Sequence, residues 1–84
     1  MGFDIIVREK RLPFSYGGCL KFEEKSGITV PLERMSPKEC NRLLKRMREY
    51  DMEEIPEDCR DTFEGIVGLL EHSVKTRCYF RVNA

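Results

Sequence analysis

The hydrophobic positions of this chain change their period several times. In "FDIIVR" Phe3, Ile5 and Val7 alternate with Asp4, Ile6 and Arg8, the pattern of a strand with one face on a core. Residues 9–18, "EKRLPFSYGG", hold a proline, a glycine pair and no period, and read as a loop. Alternation resumes with Leu20 and Phe22 in "CLKFEE", and again with Ile28, Val30 and Leu32 in "ITVPL". Two alternating runs joined by a short link ending in Gly27 predict a hairpin, with Gly27 free to take a positive φ. Pro31 cannot donate to a ladder, so this third strand belongs at an edge or ends there.

The period then lengthens. "SPKE" places Ser36 as an N-cap, Pro37 at the first helical position and Glu39 where a capping box needs it. Cys40, Leu43, Leu44, Met47 and Tyr50 follow at helical spacing, which predicts a helix over about 37–50 with these residues toward the core. Pro56 interrupts it and suits a new helix start. From there Cys59, Phe63, Ile66, Val67, Leu70 and Val74 form a second apolar stripe. "TRCYFRV" returns to alternation, with Cys78, Phe80 and Val82 one way and Arg77, Tyr79 and Arg81 the other. The order is β-β-β-α-α-β. It predicts one domain over 1–84 of α+β class, a small, largely antiparallel sheet of about four strands with both helices packed on one face.

Charge changes the picture more than composition does. Lys+Arg and Asp+Glu are both 15, so the formal charge is zero, which does not advertise nucleic acid or membrane. The distribution is uneven. Residues 34–48 carry six bases and one acid, while residues 49–64 carry eight acids and one base. Two consecutive helices usually pack side by side, so their inner flanks are expected to pair. Lys38, Arg42 and Lys45, flanked by Arg46, lie opposite the core stripe and are expected to face water. Lys38–Arg42 and Arg42–Arg46 are like-charge pairs four residues apart, and each costs the helix about 0.2–0.5 kcal/mol. Gly65 and Gly68 lie inside the second helix, at about 1 kcal/mol each relative to alanine, which asks for close packing or a close-approaching partner.

Chemistry is sparse. The single histidine, His72, sits near a helix end, where a positive charge favours the dipole. Cys19, Cys40, Cys59 and Cys78 show no C-x-x-C spacing, so they read as small buried hydrophobes rather than zinc ligands or a redox pair. The pattern offers no nucleophile with a base, no phosphate loop and no EF-hand spacing. The expectation is a non-enzymatic protein without cofactor or metal. The short apolar run at the start holds Asp4, and no run reaches the roughly 20 residues of a membrane span. A cytoplasmic location without membrane attachment is therefore expected.

Three surfaces are candidates for a partner. The acidic cluster Asp51, Glu53, Glu54, Glu57, Asp58 and Asp61 suits a basic protein. The loop residues Phe14 and Tyr16 suit an interface tip, since aromatic side chains dominate binding energy. The alternative is nucleic acid, met by Lys38, Arg42, Lys45 and Arg46 or by a strand face of Arg77, Tyr79 and Arg81 on which bases stack. In size, charge segregation and want of a catalytic motif, the chain resembles the compact accessory proteins of phages and mobile elements, some of which inhibit host nucleases as anti-CRISPR proteins do. That resemblance implies a stoichiometric inhibitor whose acidic cluster mimics phosphate.

Overall fold

The computed structural model describes residues 2–83, with Met1 and Ala84 outside the described residues. Strand β1 (Gly2–Val7) turns at Arg8–Glu9 into β2 (Lys10–Ser15), which leads directly into helix α1 (Tyr16–Ser26). An extended segment connects α1 to α2 (Pro37–Arg48). Two short 3-10 turns, Met52–Glu54 and Glu57–Cys59, lead into α3 (Arg60–Thr76), and β3 (Phe80–Asn83) ends the fold. The sheet is antiparallel with β1 in the middle, in the order β2-β1-β3.

Register sets the two faces. Ile5 lies opposite Leu12 and Val82, Val7 opposite Phe80, and Phe3 opposite Phe14. These residues share the core face, where Phe3, Ile5, Val7 and Phe80 are buried. The opposite face carries Asp4, Ile6, Arg11, Pro13 and Arg81, all half-buried or exposed. Helix α3 packs Phe63, Ile66, Leu69 and Leu70 into the core, and α2 adds Cys40, Leu44 and Met47. The molecule is only 17 Å thick along its shortest axis, against 32 and 30 Å along the others, as a sheet covered by one helical layer requires.

The α+β class and the antiparallel sheet agree with the sequence reading, but the sheet has three strands rather than about four, and there are three helices. The differences lie in residues 9–32. The stretch read as a loop pairs along its length as β2. Val7 and Lys10 close a two-residue turn, and pairing alternates from there, so Pro13 falls where its missing N–H faces the free edge. Proline here blunts an edge strand instead of breaking it.

"CLKFEE" is helical because its buried pair is Cys19 and Phe22, three residues apart, while Leu20 is 59% exposed. Ser15 caps this helix by accepting the Gly18 N–H at 2.9 Å. Gly27 does take the expected positive φ of 72°, but as the left-handed cap of α1 rather than a hairpin turn. Ile28 and Val30 then turn into the core from an extended segment. Their N–H groups go to side chains, Ile28 to Ser26 Oγ at 3.1 Å and Val30 to Glu23 Oε2 at 2.7 Å. The segment joins the sheet at one point, where Met35 and Phe80 exchange both backbone hydrogen bonds at 2.9 Å.

Helix α2 starts as predicted. Ser36 accepts the Glu39 N–H, and the Glu39 carboxylate accepts the Ser36 N–H at 3.0 Å, closing the capping box. That hydrogen bond from the Ser36 backbone holds the Glu39 carboxyl below its ordinary range. The helix ends at Arg48, two residues short of Tyr50.

Candidate interaction site

The connection between α2 and α3 presents Asp51, Glu53, Glu54, Glu57 and Asp58 on a pinned backbone, and Asp61 follows in the first turn of α3. Ile55 and Cys59 are 2% and 3% exposed and act as anchors. Arg60 Nε donates to the Ile55 carbonyl at 3.1 Å, and Asp51 caps the first turn by accepting the Glu53 N–H at 3.1 Å. Asp58 forms an ion pair with Lys25 of α1. The hydrogen bond from Lys25 holds the Asp58 carboxyl below its ordinary value, and the same bond raises Lys25. Two of the six predicted carboxylates, Asp51 and Asp58, thus have structural partners. The other four, Glu53, Glu54, Glu57 and Asp61, are exposed and make no ion pair among the described residues.

Tyr50 joins them as a residue the sequence reading misplaced. Its spacing from Met47 suggests the core stripe, but the helix has ended and the ring is 42% exposed. One edge rests on Phe63, with centroids 6.1 Å apart and planes at 78°. Arg46, Glu49, Tyr50 and Glu54 together line an open depression where α2 meets the acidic segment. The signal was available in the sequence, since Asp51 and Pro56 bound the end of the helix from one side.

The basic residues of α2 divide as two packed helices predict. Arg48 Nη2 meets Glu71 Oε2 of α3 at 2.9 Å, a bridge between the inner flanks. Lys38, Arg42, Lys45 and Arg46 are exposed and take no part in an ion pair among the described residues. The strand alternative is corrected. Arg77 is the left-handed cap of α3 with φ 58°, and Tyr79 precedes β3. Only Arg81 lies in the strand. The Arg34 guanidinium lies over the Tyr79 ring, 4.3 Å from its centroid, and Tyr79 stays 45% exposed, so Arg77, Tyr79 and Arg81 do not form the continuous strand face expected.

Phe14 and Tyr16 are not on a loop. Phe14 belongs to β2 and is half-buried, stacked on Phe3 at 5.5 Å. Tyr16 opens α1, 52% exposed and tilted against the same ring at 5.3 Å. Phe3, Tyr16, Leu32 and Val82 line a shallow apolar depression at this end of the sheet.

Reactive groups are few. His72 Nε2 comes within 2.8 Å of Glu9 Oε1 on the β1–β2 turn, off the line of a well-formed N–H hydrogen bond. This ties the turn to α3. The four cysteines are free, and burial pushes the thiols of Cys19, Cys40 and Cys59 up, which keeps them protonated. Among the described residues no group of three or more His, Cys, Asp or Glu side chains could hold a metal ion, and no helix is long and apolar enough to cross a membrane. No protein-family model, no curated protein and no solved structure matches this chain.

Proposed function

We propose that the protein is a non-enzymatic binding module that engages a basic protein surface through the connection between α2 and α3 and the first turn of α3. The observation that carries this reading is the set of four exposed carboxylates, Glu53, Glu54, Glu57 and Asp61, with no ion-pair partner among the described residues and with Tyr50 lining a depression beside one of them, Glu54. The backbone beneath these carboxylates is already held by Ile55, Cys59 and Arg60, so binding need not order it, which favours affinity. Their charge steers a basic partner into register, and a half-exposed tyrosine supplies an anchor. A stoichiometric inhibitor that presents these carboxylates to a phosphate-binding groove is the specific form of this reading.

The test is a pull-down from host lysate with nuclease-treated bait at low and moderate salt. Reversing Glu53, Glu54, Glu57 and Asp61 to lysine is expected to abolish capture of a stoichiometric protein while the circular dichroism spectrum is kept. Tyr50→Ala is expected to weaken capture by about tenfold or more, as loss of an interface anchor does. Undiminished capture by the reversed variant rejects the reading. A second reading, nucleic-acid binding, is favoured by the unpaired outward residues Lys38, Arg42, Lys45 and Arg46. It would appear in the same experiment, without nuclease, as bound nucleic acid that leaves steeply with salt.

A further inference from the structure

The depression where α2 ends has a volume of about 400 Å³ and walls of two kinds. Glu49 and Glu54 supply two carboxylates, and Tyr50 supplies a ring that is 42% exposed. The backbone of all three is already tied. The Glu49 N–H donates to the Arg46 carbonyl and the Tyr50 N–H to the Met47 carbonyl, both at 3.2 Å, and the Glu54 N–H donates to the Asp51 carbonyl at 2.9 Å. Phe63 steadies the ring through the edge contact described above. Neither carboxylate takes part in an ion pair among the described residues. Arg46 also lines the depression, yet among the described residues it meets neither carboxylate and does not lie over the Tyr50 ring. The C-terminal end of α2 opens here as well, and its carbonyl dipoles favour positive charge.

We propose that this depression takes an arginine side chain of the basic partner, an inference that rests on the acidic-surface reading above and deepens it. A guanidinium is planar and weakly hydrated, so one face can lie on the Tyr50 ring while its edge donates to the Glu49 and Glu54 carboxylates. An ammonium concentrates its charge at one point and holds its water more tightly, which makes lysine the poorer occupant. An anion would meet Arg46 but would have two carboxylates against it. Arg46 also repels an incoming cation, so it lowers the affinity of the site without changing what the site selects. Glu54 belongs to the four carboxylates already assigned to the partner. Glu49 does not, and it is the residue this inference adds.

The experiment is an NMR titration of the isotope-labelled full chain with blocked tripeptides in which glycines flank arginine, lysine or citrulline, the last being the uncharged counterpart of arginine. The arginine peptide is expected to shift the Tyr50 ring protons and the Glu49 and Glu54 amides saturably. The lysine peptide is expected to bind several-fold more weakly, and the citrulline peptide to leave these signals unmoved. Glu49→Gln, Glu54→Gln and Tyr50→Leu are each expected to weaken the arginine peptide about threefold, and Arg46→Gln to strengthen it about twofold. Tyr50→Phe keeps the ring and is expected to keep the affinity. All four positions are exposed, and circular dichroism confirms that each variant is folded. Absence of saturable shifts overturns the proposal. So does a lysine or citrulline peptide that matches arginine, or an Arg46→Gln variant that binds arginine less well. The two readings fail separately. If the reversed variant of Glu53, Glu54, Glu57 and Asp61 loses its captured protein while no arginine peptide binds, only the present inference falls. If the arginine peptide binds but capture survives the reversal, the acidic-surface reading falls and the depression stands as an arginine site.

Discussion

Gly65 and Gly68 stand three residues apart on α3 and meet different surroundings. A Cβ at Gly65 would come within 3.2 Å of Leu12 Cδ1 on β2, whereas a Cβ at Gly68 would have nothing within 4 Å. The first glycine lets the helix approach the sheet closely, and the second has no packing reason. Gly68→Ala is therefore expected to raise unfolding stability by up to about 1 kcal/mol in urea titrations. Gly65→Ala is expected to gain distinctly less, because Leu12 must shift. Equal gains would show that the Leu12 contact does not matter. At this scale the sequence was informative about cost and silent about cause, since which glycine faced a neighbour depended on how β2 was placed. Tyr50 has the same origin. Its spacing was right for the core, but the end of the helix removed it.

Among the elements, α2 was legible because its cap, its proline and its apolar spacing all agreed. Helix α1 was not. Its first turn holds Gly17 and Gly18, and Leu20 and Phe22 imitate the period of a strand. What decides the matter is tertiary. Cys19 and Phe22 are the residues the core accepts, and Ser15 and Gly27 supply the two caps. The segment after α1 was read correctly in phase and wrongly in pairing. Ile28 and Val30 do point inward, but a carboxylate from α1 replaces the ladder. Removing that carboxylate should expose the difference. In Glu23→Ala, amide exchange at Val30 is expected to accelerate by about tenfold or more, as loss of a hydrogen bond to a charged acceptor implies, while α2 amides keep their protection. An unchanged Val30 rate would mean that burial alone protects the segment.

For the whole molecule, the charge asymmetry visible in the sequence becomes a division of surface, with the bases along α2 and the acids at the α2–α3 connection. What the sequence left hidden was the tie between distant parts. Lys25 and Asp58 are 33 residues apart and link α1 to the acidic connection. Asp58 is depressed below its ordinary 3.8, so its contribution is present above that value and lost as pH falls through the depressed one. Lys25 is raised above its ordinary 10.5, so its contribution is present below that value and lost as pH rises through the raised one. Asp58→Asn is thus expected to lower the melting temperature by a constant amount between those two ordinary values. The gap to the native chain should close in acid as Asp58 itself protonates. A gap that persists unchanged well into acid would show that another property of Asp58 is responsible. Because both side chains are more than half exposed, added salt should also shrink the gap.

The pairing of β1 with β3 puts Asp4 beside Asn83 and lets Phe80 complete a core that Ile5 begins. Strands far apart in the sequence therefore pair directly, with β1 at the centre of the sheet and β3 at its edge. A ribosome delivers Ile5 well before Phe80, so β1 lacks one of its two neighbours until β3 has been made. The β1–β2 hairpin and α1 can form early, but the core cannot close until residues 80–83 have emerged. A chain cut short before them exposes the same apolar face that the finished protein hides, which makes it a target for chaperones and proteases.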